Sequence, residues 1–234
     1  MTIKALTFDV FGTTVDWNTG IARESEKALA PKGCDLDWVA FANRWRSEYQ
    51  PYMEEVRTGR RPYATMDTLH REMLDIPLDE YKVPNLTDQE KHDLALAWRR
   101  LPAWPDAAEG LDRMREKFIV AALSNGNMAL TVNLAKFADI SWDIILGAEL
   151  VETYKPLPQV YDSAAHYLDL DMSEIMMVAC HVWDLDAARE RGMKTAFISR
   201  PHEYGPNAAG PQPEPGTYDY EAENFLDLAA QLGC

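Results

Sequence analysis

The sequence predicts an α/β fold: a Rossmann-like parallel sheet core flanked by helices, with a helical cap inserted after the first strand. Three observations carry this. Short apolar runs rich in β-branched residues recur without polar alternation, as strands covered on both faces do. Helix-like stretches separate the later runs, a succession that builds parallel sheets. One long polar, aromatic, helical interval, from Asp16 to about Trp98, breaks that rhythm directly after the first run.

The expected strands cover residues 3–10, 118–123, 143–146, 175–179 and 194–198, and helices are expected over 107–116, 130–138, 159–168 and 185–191. The interruption carries helical segments at 38–55, 63–74 and 88–100, and Pro102 and Pro105 mark the return to the core. A catalytic core of 1–15 plus 101–234 and a cap of 16–100 follow. The stretch 201–216, rich in Pro and Gly, reads as a loop. A chain of 234 residues fits one such domain with its insertion.

The formal net charge is −15 and the sequence pI is near 4.7. Such a surface repels nucleic acid and anionic membrane, so neither is an expected partner. An anionic substrate would need local cations to hold it. Cys34, Cys180 and Cys234 are widely spaced, with no CxxC, which argues against a disulfide framework and a structural zinc. The run after Met1 lacks a basic leader and a long apolar stretch. No segment approaches the roughly 20 apolar residues of a membrane helix. The expected compartment is the cytoplasm.

In open parallel sheets, ligands bind outside the carboxyl ends of the strands. Asp9 follows the first expected strand, Ser124-Asn125-Gly126 the second, Lys155 the third, and His181 with Asp184 the fourth. A carboxylate nucleophile, small hydrogen-bonding groups, a cation and a second acid would converge at one edge. No GxSxG elbow, HExxH pair, GxGxxG or Walker loop offers a competing site.

The strings FDVFGTT, LSNGN, YKPLPQVY and VWDLDAARERG, in that order, resemble the four motifs of the haloacid dehalogenase superfamily. Phosphatases of that superfamily carry a second Asp two residues after the nucleophile, as the acid that protonates the leaving oxygen. Here that position is Phe11, which donates no proton, and a halide leaving group needs none. Magnesium-dependent relatives place two acids about four residues apart in the fourth motif. Here Cys180 stands in place of the first, leaving Asp184, and a thiol is a poor magnesium ligand. Both departures resemble the type II, or L-2-haloacid, dehalogenase branch, and no metal or other cofactor is expected.

The resemblance implies a two-step displacement. Asp9 attacks the halogen-bearing carbon from behind and forms an aspartyl ester. Halide leaves toward Arg46, which follows Trp45 in the first long cap helix, with Asn125 as a second donor and Phe11 and Trp183 excluding water. Ser124 and the backbone amides around Phe11 and Gly12 hold the substrate carboxylate, and Tyr161 joins the pocket. Lys155 offsets the charges of Asp9 and substrate. Asp184 or His181 activates the water that cleaves the ester. The expected outcome is (S)-2-haloacid to (R)-2-hydroxyacid, by a homodimer. Ala179, Cys180 and His181 replace the small hydroxyl and amide residues that the branch carries before its WD pair. The readings left open are a phosphatase of a small phosphomonoester and a non-catalytic scaffold of the same fold.

Overall fold

The computed structural model describes residues 2–206 and 208–234. Met1, at the start of the expected core segment, and Asn207, inside the expected loop 201–216, lie outside the described residues. Along the chain, β1 (Ala5–Phe8) leads into helices α1 (Trp17–Leu29), α2 (Trp38–Ser47), α3 (Tyr49–Arg57), α4 (Met66–Glu80) and α5 (Asp88–Ala95). Then come α6 (Ala107–Arg115), β2 (Ile119–Ser124), α7 (Met128–Ala138) and β3 (Ile144–Gly147). They are followed by α8 (Pro158–Leu168), β4 (Ile175–Ala179), α9 (Val182–Glu190), β5 (Lys194–Ile198), β6 (Tyr220–Ala222) and α10 (Phe225–Leu232).

The strands form one sheet in the order β3-β2-β1-β4-β5-β6, and every pairing is parallel. Alternate residues along each strand face opposite sides. Leu6, Phe8, Val120, Ala122, Met176 and Val178 pack into one apolar cluster, with α6, α7, α10 and the inserted helices. Ala5, Ala121, Leu123, Ile175, Met177 and Ala179 pack into the other, with α8 and α9. Burial on both faces is why these strands read as continuous apolar runs.

The inserted helices obey local chemistry. Asp16, Asp37 and Thr65 each cap a helix by accepting a backbone N–H from its first turn. Thr87 and Glu90 form a reciprocal capping box at α5. The helix expected over 38–55 is broken at Glu48 into α2 and α3. Pro51 lacks an N–H, and its ring crowds the carbonyl four residues back, at Ser47. In contrast, α4 continues through Pro77 to Glu80, past the expected end.

One contact fixes the seat of the last helix. A Cβ added to Gly110, on α6, would lie 2.5 Å from Phe225 Cβ and 3.0 Å from its carbonyl carbon. Helix propensity alone favours Ala over Gly by about 1 kcal/mol. The collision outweighs this, since overpacking costs about 1–3 kcal/mol. Gly110→Ala is expected to lower the urea midpoint at an unchanged slope; a raised midpoint would contradict this packing.

Candidate active site

The connections leaving β1 and β4 run to opposite ends of the sheet, so the crevice between these neighbouring strands is a topological switch point. Asp9 follows β1 there, and Cys180 and His181 follow β4. Adjacency of the two strands therefore brings His181 against Asp9, although 172 residues separate them.

The Asp9 carboxylate is buried and fully engaged. Lys155 Nζ lies 3.2 Å from Oδ1. Thr13 Oγ1 donates to Oδ2 at 2.9 Å, and His181 Nδ1 lies 3.1 Å from the same oxygen. Burial works against the charge, but Lys155, His181 and Thr13 outweigh it and hold the acid well below the usual carboxylate range. Asp9 is thus an ionised carboxylate shielded from bulk water.

Lys155 also lies 2.7 Å from Asp184 Oδ2 and so bridges the two acids. Burial disfavours its cation, yet Asp184 and Asp9 together raise its pKa. Asp184 Oδ1 accepts from Tyr161 Oη at 2.6 Å. Burial, with Asp9 adding to it, raises the Asp184 pKa despite Lys155 and Tyr161. The Tyr161 ring belongs to the cluster under α8 and α9. Tyr161 was expected in the substrate pocket; the structure places its hydroxyl on Asp184.

Gly12 also departs from expectation. Its N–H, expected in the carboxylate cradle, donates to Val15 O at 3.1 Å. Its φ is +90°, and an added Cβ would lie 2.3 Å from Glu203 Oε1. Gly12 instead makes room for Glu203. That buried carboxylate meets His181 Nε2 at 2.9 Å and accepts from Trp17 Nε1 at 3.1 Å. Burial would raise the Glu203 pKa, but His181 and Trp17 lower it.

His181 therefore lies between two carboxylates, with Trp183 stacked on its ring at 5.6 Å. Burial opposes its cation, but Cys180, Glu203 and Asp9 raise its pKa well above 6.5. A folded-state pKa above the unfolded value contributes stability that is complete below about pH 6.5 and fades as pH rises through the folded value. The melting temperature is expected to fall on that alkaline limb, and His181→Gln should flatten the fall. An equally steep fall in the variant would contradict the ion-pair geometry.

Ser124 and Asn125 follow β2. Ser124 Oγ accepts the Gly126 N–H at 2.9 Å, and Asn125 Oδ1 accepts the Lys155 N–H at 2.8 Å. The second contact ties the loop after β2 to the one carrying Lys155. From α2, Arg44 pairs with Glu48 and Glu80. Arg46 has no carboxylate partner among the described residues, and its Nη1 is buried without a hydrogen bond. Its guanidinium lies 3.6 Å from the Tyr49 ring centroid, within an aromatic box completed by Phe11, Trp17 and Trp98. Burial raises the Tyr49 pKa against the neighbouring Arg46 charge. A cleft lined by Arg46, Tyr49, His181 and Trp183 opens beside them.

The structure thus gathers Asp9, Lys155, Asp184 and His181 into one buried network, with Phe11, Arg46, Asn125 and Trp183 around it. Thr13, Tyr49, His70 and Glu203 were missed by sequence reasoning. Thr13 adjoined a recognised motif, whereas Glu203 lay in a segment read only as loop. Cys180, His181 and Glu203 bring potential metal-ligand atoms within 4.8 Å of one another. Both His181 nitrogens already face carboxylates, however, and burial raises the Cys180 pKa, keeping the thiol protonated. These groups satisfy one another and are not laid out as an open ligand set.

Comparison with known proteins bears on this chemistry. A family model described as haloacid dehalogenase-like hydrolase matches residues 3–192. The (S)-2-haloacid dehalogenase 4A of Burkholderia cepacia is 32% identical over 210 residues, 86% of this chain and 87% of that protein. The crystal structure of the defluorinating L-2-haloacid dehalogenase Rha0230 superposes with a TM-score of 0.95 at 43% identity, covering 99% of this chain and 96% of that one. The structure of the L-2-haloacid dehalogenase PA0810 superposes with a TM-score of 0.93 at 40% identity, covering 99% of each chain.

Proposed function

Because this chain belongs to the haloacid dehalogenase-like hydrolases, we propose that it hydrolyses short-chain 2-haloalkanoic acids to 2-hydroxy acids through an ester on Asp9. The stereochemical course is (S)-2-haloacid to (R)-2-hydroxyacid, with halide released. One observation carries the reading: a buried Asp9, held ionised by Lys155 and His181, is followed two residues on by Phe11, where a phosphatase would present a second acid, and Phe11 packs against Arg46, which has no carboxylate partner among the described residues.

Asp9 displaces halide in line, the C–X electron pair leaving with the halide toward Arg46. Lys155 offsets the approach of the substrate carboxylate to Asp9, whose repulsion would be severe in a dry site. Ser124 and the Phe11 amide hold that carboxylate. Water then attacks the carbonyl carbon of the ester. His181 takes its proton, and Glu203 stabilises the imidazolium that forms. Esterification first removes the Asp9 charge that helps keep His181 protonated, so the imidazolium releases its proton to solvent through the adjoining cleft; the neutral ring then takes the water proton and returns it to the product oxygen as the acyl C–O bond breaks, which restores Asp9. Asp184 is less available, with both oxygens already held. We assign catalysis to Asp9, Lys155, Asp184 and His181, the core to 1–15 plus 101–234 and the cap to 16–100.

The reaction is proposed to need no metal, and the enzyme to act in the cytoplasm as a homodimer. The exposed apolar side chains Val132 and Phe137 on α7 offer one face for pairing. No helix among the described residues is long and apolar enough to cross a membrane. The test is halide release from racemic 2-chloropropanoate and 2-bromopropanoate with chelator present. Consumption of one enantiomer supports the reading. No release, with magnesium-dependent hydrolysis of a chromogenic phosphate instead, would replace it by the phosphatase.

A further inference from the structure

Among the described residues, His70 is the buried side chain with two polar atoms left without a hydrogen-bond partner. It sits on α4, fully buried, and neither ring nitrogen has a hydrogen-bond partner. Buried polar atoms are almost always paired, so two orphans on one ring call for an explanation. The ring is held firmly. It stacks on Trp98 at 4.2 Å with planes 11° apart and on Tyr49 at 6.2 Å with planes 23° apart. Phe11 lies 6.0 Å away, nearly perpendicular. Its own backbone carbonyl accepts from Trp45 Nε1 at 3.1 Å, which anchors this turn of α4 to α2.

These ring neighbours also surround Arg46, whose Nη1 is another orphan, and Trp98 Nε1 is a third. One aromatic box therefore gathers Arg46 Nη1, the His70 imidazole and Trp98 Nε1, buried nitrogens without hydrogen-bond partners among the described residues. No carboxylate pairs with Arg46 among the described residues. Donors without acceptors in an apolar enclosure form a receptor for a small anion. Burial, reinforced by the Arg46 charge, keeps His70 neutral. The imidazole thus carries one N–H that it does not give up.

We propose that His70 donates a hydrogen bond to the departing halide and so sets the order in which halides are released, favouring the smallest. The inference rests on the dehalogenation reading. As the C–X bond breaks, its electron pair goes to the halide, and His70 keeps its proton while its N–H hydrogen bond to the halide shortens with the growing negative charge. A fixed donor acts most strongly where charge develops. Fluoride concentrates that charge in the smallest volume and gains most; bromide, large and diffuse, is served by Arg46 and the ring edges.

The experiment measures kcat/KM for fluoroacetate, chloroacetate and bromoacetate in wild type, His70→Phe, His70→Asn and His70→Gln. Loss of one preorganised donor costs about 100-fold where charge is most localised. The His70→Phe variant should lose about that factor on fluoroacetate, about 10-fold on chloroacetate, and little on bromoacetate. Of the two amide variants, the one whose N–H falls where the working nitrogen lies should restore part of the fluoroacetate rate. A purely structural role would lower all three rates together, and equal losses, or none, would overturn the proposal. Fluoride and bromide titrations of the resting enzyme, followed by tryptophan fluorescence, separate this from failure of the parent reading. Weakened fluoride binding in His70→Phe with bromide binding intact supports the anion site, even if wild type turns over none of the acids. That last outcome would instead overturn the dehalogenation reading.

Discussion

Asp9→Asn is expected to abolish halide release, with a fall of at least about 10⁴-fold in kcat, the scale on which loss of a nucleophile acts. The amide preserves the shape of the carboxylate but has neither its charge nor its nucleophilicity. Its one oxygen can still accept from Lys155, and its N–H can donate toward Thr13 Oγ1, so the variant should fold. Removing the negative charge also frees Lys155 and His181 to attract an anion, so haloacid binding should persist or tighten. The checks are ion chromatography for halide and equilibrium binding of 2-chloropropanoate. Release at more than about one per cent of the wild-type rate would mean that another group, or water itself, attacks carbon.

His181→Gln is expected to stop the reaction half-way. Halide should appear in a burst of one equivalent per site, followed by a steady-state rate lower by about 10²–10⁴-fold, the range of general-base catalysis. Intact-protein mass spectrometry should show the alkylated enzyme, and peptide mapping should place the adduct on Asp9. The result separates two candidate bases that sequence alone left equal. Asp184 has one oxygen on Tyr161 and the other on Lys155. His181 is 3.1 Å from the carboxylate whose ester must be cleaved, with Glu203 behind it. An unchanged rate without ester accumulation would return the role to Asp184.

Much of this was legible in the sequence because the core is built from local rules. Strands β4 and β5 coincide with their apolar runs, and the helices after them carry ordinary periodicity. The residues at the strand ends converge as parallel topology requires. Other features were legible but passed over. In α1, Trp17, Ile21, Ala22, Ser25 and Leu29 are buried at helical spacing behind the Asp16 cap, but Gly20 interrupts the pattern. A Cβ there would meet Leu101 and Pro102 at 2.9 Å, so the glycine serves a tertiary contact that no local signal reveals. Asn224 likewise caps α10 in a region where no element was expected.

The site itself divides along the same line. Asp9 directly follows β1, Lys155 lies in the connection after β3 and Asp184 in the first turn of α9, and Arg46 was found by resemblance. Glu203 reaches His181 from a loop of Pro and Gly, and only the space above Gly12 admits it. Tyr49 and His70 carried no local signal, because they meet only where α3 and α4 pack together. Tyr161 was placed in the pocket because its motif was recognised, but helical phase turns it beneath the sheet onto Asp184.

The central claim, an ester on Asp9, is tested most directly by one turnover in water enriched in heavy oxygen, with enzyme in excess over 2-chloropropanoate. The account predicts that the lactate formed carries ordinary oxygen in its new hydroxyl, taken from Asp9, and that the heavy label enters the Asp9 carboxylate. Heavy oxygen in the hydroxyl, with Asp9 unlabelled, would mean that water attacks the carbon directly and would contradict the account.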